Sequence, residues 1–191
     1  MRYAATWSDA TLVASRDLTP DVRALDIRPE GGVKPFQPGA HIDITVLIDG
    51  LPETRSYSLV GEAGGETYRV AVKRRPETRG GARYLHALQP GARLVITEPK
   101  SSFGIALDHP EFLLVAGGIG ITPLVGMASL LKRRDARFRL LYAARTAADL
   151  AFIDDLSAEL GDRLSIHLSG EGDRLDLAAA FASLAPGALC A

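Results

Sequence analysis

The 191-residue chain carries 22 Lys and Arg against 23 Asp and Glu, a net charge of −1, and 47% of it is hydrophobic. That balance suits a soluble globular protein with a sizeable core, and it offers no basic tail or block for nucleic acid. No apolar run approaches the ~20 residues that span a bilayer, and the first seven residues lack the apolar stretch of a signal peptide. Cytoplasm is the expected location, with neither membrane nor nucleic acid as a partner. The one cysteine, Cys190, excludes an internal disulfide, a Cys-based zinc site or a four-cysteine iron–sulfur cluster within this chain.

Residues 12 to about 97 read as short alternating runs separated by turns. Runs 12–15 and 22–27 are joined through Leu18-Thr19-Pro20-Asp21. Gly31-Gly32 and Pro35-Phe36-Gln37-Pro38-Gly39 break the chain before a third run, 42–48, in which Asp43 and Thr45 alternate with Ile42, Ile44 and Val46. Asp49-Gly50, a strong turn dipeptide, ends it. Runs 56–60 and 68–73 follow, then a helical segment over 82–88 stopped by Gln89-Pro90-Gly91, then a sixth run, 94–97. Six strands at this spacing suggest an antiparallel barrel or sandwich, and a six-stranded β-barrel is preferred because it leaves no open edge.

Two places in this half carry chemistry. Arg55-Ser56-Tyr57-Ser58 sets a cation, a ring and two hydroxyls at a strand start, with Arg55 and Tyr57 on one face and Ser56 and Ser58 on the other. An Arg beside an aromatic can hold a phosphate while the ring stacks on a flat heterocycle. An ordinary strand with a solvent-facing Arg and a half-buried Tyr fits the same pattern. Further on, Lys73-Arg74-Arg75 and Arg79 lead to Gly80-Gly81-Ala82-Arg83. A Gly-Gly before a helix is an anion nest or, equally, part of a solvated basic loop. The four histidines, His41, His86, His109 and His167, include no close pair, so packing or surface roles are expected rather than metal ligation.

Residues 99–104 and 107–110 read as a linker, and from Glu111 the period changes. Phe112-Leu113-Leu114-Val115 runs without alternation, as a strand buried on both faces does. Ala116 and a glycine cluster follow, and Thr122-Pro123 opens a helix over 123–134. Strand 138–143, helix 149–160, strand 164–168 and helix 175–184 come next, and the last five residues open a fourth strand. Strands alternating with helices predict a parallel doubly wound sheet. The expected chain therefore has two domains, a β-barrel over 1–104 and an α/β domain over 105–191.

A strand, a glycine turn and a helix start form the layout of a dinucleotide phosphate loop. Glycines let the backbone approach a charged group, helix-start amides favour an anion, and Pro123 lacks only an N–H that would have no partner. Here the turn is Gly118-Ile119-Gly120 with Pro123 where the third glycine of the fingerprint would stand. Where an acid would follow the second strand stands Arg145, with Asp149 one turn later. The residues thus leave NADH and NADPH both open.

In their order along the chain, several segments resemble the ferredoxin–NADP reductase superfamily, and within it the phthalate dioxygenase reductase type that includes vanillate demethylase reductases. They are Pro38-Gly39-Ala40-His41-Ile42, Arg55-Ser56-Tyr57-Ser58-Leu59, Val72-Lys73-Arg74, Gly80-Gly81, residues 117–123, and Tyr142-Ala143-Ala144-Arg145-Thr146 through Asp149, Ala151 and Phe152. The resemblance implies a flavoprotein reductase that takes hydride from NAD(P)H and passes electrons to an iron–sulfur or oxygenase partner. It implies flavin contacts from Arg55, Ser56, Tyr57, Ser58, Val72, Lys73, Arg74, Gly80, Gly81, Ala82 and Thr122. It implies nucleotide contacts from Gly117, Gly118, Ile119, Gly120 and Pro123, with Arg145 and Phe152 flanking. Ser58, Thr122 and Cys190 would stand nearest the chemistry. FMN is expected, with FAD as the alternative because Ala82 replaces the Ser that often follows the Gly-Gly, and NADH is expected with NADPH as its alternative. Proteins of this type continue past the Cys190 position, so the nucleotide domain is expected to be incomplete at its C-terminus, and no iron–sulfur cluster is expected in this chain. A non-catalytic flavin-binding remnant and a stand-alone flavin or quinone reductase are the competing readings.

Overall fold

The structure, a computed structural model, describes residues 6–74, 80–101 and 103–191. Arg75 and Arg79 of the basic loop lie outside the described residues.

The first half contains β1 (Trp7–Asp17), β2 (Val22–Pro29), β3 (Ala40–Ile48), β4 (Leu51–Ser58), β5 (Tyr68–Lys73), helix α1 (Gly81–Ala87), β6 (Arg93–Thr97) and β7 (Lys100–Ser101). They form one antiparallel sheet in the order β4-β3-β6-β1-β2-β5, with β7 added to β3. The sheet curls until its two ends meet, where Leu59 bridges to Val70 and the Val60 amide donates to the Arg69 carbonyl at 2.8 Å. Curling follows from one-sided burial: Ala40, Ile42, Ile44 and Val46 of β3 point into the core while His41, Asp43 and Thr45 point away. A bulge between Leu12 and Ala14 sharpens the bend of β1.

Two expectations need correction here. The strand placed at 56–60 begins at Leu51 and ends at Ser58. Asp49 and Gly50 both take left-handed φ, closing a two-residue hairpin that pairs Ile48 with Leu51 directly. Residues 51–54 are all exposed, so backbone pairing with β3, not burial, makes them a strand. The stretch expected as a linker also contains β7, which pairs with Ala40 and His41.

The second half contains β8 (Phe112–Gly117), α2 (Thr122–Arg133), β9 (Phe138–Ala144), α3 (Ile153–Leu160), β10 (Leu164–Leu168), α4 (Leu177–Ala182) and β11 (Leu189–Cys190). All strand pairs are parallel, in the order β10-β9-β8-β11. Helix α3 starts four residues later than the pattern predicts. Asp149 belongs to a separate 3-10 turn, Ala147–Asp149, and Phe152 adopts φ 63°, which no helix continues through. Asp176 caps α4 by accepting the Ala179 amide at 3.0 Å.

Two apolar cores result. Leu12, Leu25, Ile42, Ile44, Leu59 and Ile96 fill the curled sheet. Phe112, Leu114, Met127, Leu131, Leu140 and Tyr142 fill the parallel sheet and its helices, and Val22, Val60 and Ala71 of the curled sheet join this second cluster. The two halves therefore share a seam. Helix α2 lies so close to the chain after β4 that a Cβ on Gly126 would run into the Gly61 carbonyl, and its last residue, Arg133, pairs with Glu62. Among the described residues, no helix is long and apolar enough to cross a membrane.

Candidate functional site

The first wall of the site is β4. It pairs with β3 so that Arg55 stands opposite Ile44, Tyr57 opposite Ile42, Ser56 opposite Asp43 and Ser58 opposite His41. Directly opposed residues share a face. Arg55 and Tyr57 thus lie on the side of the buried isoleucines, and Ser56 lies on the outer side. The Ser56 hydroxyl confirms this by donating to Asp43 at 2.5 Å, in a cluster completed by Lys100, whose ammonium lies 2.5 Å from the other Asp43 oxygen. Burial opposes ionisation of Asp43, yet the hydrogen bonds from Lys100 and Ser56 together bring its carboxyl below the usual range. The Ser56 side chain is therefore spent on the outer face, and only its main chain is left for a ligand of the Arg55 face.

Arg55 reaches over the start of α1. Its Cγ would lie 3.2 Å, and its Nε 3.6 Å, from a Cβ placed on Gly81. Gly80 is as crowded, since a Cβ there would come 2.6 Å from Ile48 Cγ2. The two glycines let the helix start press onto β3 beside the guanidinium. Among the described residues no side chain caps this helix. Ala82 is buried in the core of the curled sheet, and Arg74 and Arg83 are exposed. The guanidinium itself is held by Glu53 at 2.6 Å and by the Thr54 carbonyl at 2.8 Å. Glu53 was missed in the sequence, although its position two residues before Arg55 puts it on the same strand face. Burial pushes the Tyr57 hydroxyl above its ordinary range, with the Arg55 charge opposing.

The second wall is the turn after β8. Gly117 ends the strand, Gly118 takes φ 52°, and Gly118–Ile121 forms a 3-10 turn into α2, with Pro123 in the first helical turn. A Cβ added at Gly117, Gly118 or Gly120 meets nothing within 4 Å. Packing explains the glycines at 80, 81 and 126; it does not explain those at 117 and 120, above which there is open space. Thr122 is buried, and its hydroxyl donates to the Ile119 carbonyl at 3.1 Å, which holds the turn closed.

The two walls meet. The turn Gly118–Ile121 packs against β5, and Ile121 shares a core with Val60 and Ala71. Val72 is buried, and its carbonyl receives a ring nitrogen of His86 at 2.8 Å. The Lys73 ammonium pairs with Asp21 at 3.0 Å and lies 3.9 Å from Asp149. Arg145 lies exposed just past β9, its carbonyl accepting the Gly170 amide at 2.8 Å. Both the 118–121 turn and Arg145 stand at the C-terminal edge of the parallel sheet, where open α/β sheets take their ligands. Phe152 is 8% exposed and belongs to the core, so most of its ring is committed to packing. Beneath it Tyr142, whose hydroxyl burial pushes up to about 12, donates to the Ala151 carbonyl at 3.3 Å.

Cys190 is not brought to this cleft. It pairs with Leu113, four residues before Gly117, or about 13 Å back along the strand at ~3.3 Å per residue. The sheet register that sets this separation is not displayed by the sequence. Cavities of about 320 Å³ and 160 Å³ lie elsewhere, one between Phe36, Ile105 and Leu130 and the other beside Leu18 and Phe152. Among the described residues no cluster of His, Cys, Asp or Glu could hold a metal ion.

No family model matches the chain. Curated relatives do. It is 38% identical over 179 residues to the heme-dependent oxidative N-demethylase beta subunit of Ectopseudomonas mendocina, a match covering 91% of this chain and 56% of that protein. It is 40% identical over 173 residues to the phenoxybenzoate dioxygenase subunit beta of Ectopseudomonas oleovorans, covering 88% and 53%. It is 37% identical over 182 residues to the vanillate O-demethylase oxidoreductase of Pseudomonas putida, covering 92% and 56%. The chain thus spans about half the length of the curated relatives it matches. Among solved structures, phthalate dioxygenase reductase, a modular structure for electron transfer from pyridine nucleotides to a 2Fe–2S centre, superposes with a TM-score of 0.86 at 27% identity, covering 96% of this chain and 60% of that one.

Proposed function

The chain belongs to the phthalate dioxygenase reductase type of the ferredoxin–NADP reductase superfamily, and from that premise we propose that it holds a flavin on the Arg55 face of β4, a reduced nicotinamide dinucleotide on the 117–123 turn, and passes electrons on to an iron–sulfur or oxygenase partner. Residues 1–104 carry the flavin in this reading and residues 105–191 the nucleotide. The observation that carries it is the meeting of two dissimilar walls: a half-buried Tyr beside an Arg, and a glycine turn with open space above it, both against β5.

The residues present fit both groups. Arg55 and the start of α1 suit a flavin phosphate, with Gly80 and Gly81 bringing the amides beside the guanidinium. Tyr57 offers a ring for the flavin to pack on. Gly117, Gly118, Ile119 and Gly120 leave the backbone approachable from outside, and Pro123 starts a helix whose end favours an anion. When bound, the two cofactors supply the redox chemistry, a hydride leaving the nicotinamide for the flavin. The chain supplies alignment. Thr122, through its bond to Ile119, keeps the turn in shape, and the α2–Gly61 contact holds that turn beside the flavin strand. Ser58, half-buried at the end of β4, stands opposite His41 on the other side of the strand from Tyr57, and would reach the flavin edge from the strand's end. Arg145, exposed at the sheet edge, would meet the far phosphates of the nucleotide in this reading. FMN is favoured because Arg55 and the Gly80-Gly81 turn would suit a terminal phosphate, and NADH is favoured with it.

Purified protein tests this directly. Yellow protein whose flavin bleaches on anaerobic addition of NADH, or of NADPH, is the expected result. Retained flavin that neither nucleotide bleaches would sink the reading.

A further inference from the structure

We infer that Lys73 is a positioning residue that ties the nucleotide-side turn to the flavin-side sheet, rather than a ligand of the flavin; this rests on the function proposed above. Lys73 is the last residue of β5, the strand on which the glycine turn packs. Its ammonium stands between two carboxylates from opposite halves of the chain, 3.0 Å from Asp21 and 3.9 Å from Asp149.

Each carboxylate uses one oxygen toward Lys73 and the other to hold its own turn. Asp21 accepts the Thr19 hydroxyl at 2.8 Å, and Thr19 in turn accepts the Val22 amide at 3.0 Å. Asp149 accepts both the amide and the hydroxyl of Thr146, at 3.0 Å and 2.8 Å. The result is one polar chain, Thr19–Asp21–Lys73–Asp149–Thr146, from the β1–β2 turn to the turn just after Arg145. Lys73 is only 18% exposed, which shields the link from solvent better than an ordinary surface pair. Without the ammonium, two like charges would face each other across the seam and push the Arg145 end of β9 away from the flavin strand. The effect belongs to nucleotide binding and alignment, since Lys73 touches the cleft only through what it holds.

The test is Lys73→Met, which keeps length and removes charge, beside Lys73→Arg and Asp149→Asn. The inference expects Lys73→Met to keep its flavin content while the KM for the nucleotide rises severalfold, more than kcat falls, with Lys73→Arg recovering part of the loss and Asp149→Asn matching it. Flavin lost from Lys73→Met in proportion to its activity would overturn it in favour of a flavin ligand, and wild-type KM in both variants would overturn it outright. A double-mutant cycle of Lys73→Met with Asp149→Asn, read from denaturant midpoints, needs neither cofactor nor turnover. Midpoint shifts that simply add contradict the link even if the enzyme works. Coupled shifts in a protein whose flavin no nucleotide reduces keep the link and reject the proposed function instead.

Discussion

Arg55 is balanced between two partners. In the structure Glu53 and the Thr54 carbonyl hold it, yet its stem lies against Gly81, where an incoming phosphate would sit. A charge-assisted contact of this kind contributes about 1.5–3 kcal/mol, so Arg55→Ala should weaken flavin binding roughly tenfold or more. Flavin-to-protein ratio after dialysis measures it, and an unchanged ratio counts against the assignment. Glu53 competes for the same guanidinium. Glu53→Gln should therefore tighten flavin binding, most clearly at low ionic strength; weaker binding in a fluorescence titration would show that Glu53 orients Arg55 instead. Gly117 separates ligand from scaffold, because its backbone is extended and its Cβ position is empty. Gly117→Ala should leave stability within about 0.5 kcal/mol while raising the nucleotide KM. Loss of stability with unchanged KM would make that glycine a folding requirement.

At the scale of elements, α2 sets the width of the cleft. Its Gly126 faces the Gly61 carbonyl with no room for a methyl, so Gly126→Ala should cost about 1–3 kcal/mol as overpacking and should slow flavin reduction by separating the walls. A neutral denaturant midpoint would mean that the seam yields. How much of this was legible in the sequence depends on what each element owes to burial. Alternation at Ile42, Ile44 and Val46 and the unbroken apolar run at Phe112 mark β3 and β8, because those strands owe their positions to the core. The first half of β4 carries no such mark, since Pro52, Glu53 and Thr54 are all exposed and held by pairing alone. The late start of α3 turns on one left-handed residue, Phe152, which a propensity reading never assigns. The motif residues identify segments of the site, but their partners come from afar. Nothing local links Lys73 to Asp21 and Asp149, and only the register of β11 against β8 separates Cys190 from the glycine turn.

For the whole molecule, the curled sheet and the parallel sheet are held as one body by a shared core at Val22, Val60, Ala71 and Ile121 and by ion pairs across the seam. Acid should loosen it. The carboxyls of Asp21 and Asp43 both lie below their ordinary value of 3.8, with burial opposing and the hydrogen bonds of Lys73 and Lys100 prevailing. Groups whose folded pKa is depressed stabilise above the unfolded value and lose that stability as pH falls through the folded one. Stability should therefore hold down to about pH 4 and fall below it, and Asp21→Asn should flatten that fall; a variant with the wild-type acid profile would place the sensitivity elsewhere.

The central claim is that one cleft holds two rings face to face, and stereospecific hydride transfer reads that geometry most directly. Rapid anaerobic mixing of the flavin-loaded protein with nicotinamide dinucleotide deuterated on either face of its reactive carbon gives the answer. The account predicts that deuterium on one face slows flavin reduction severalfold while deuterium on the other leaves it unchanged. Equal rates with both, or reduction that never occurs at saturating nucleotide, would contradict it.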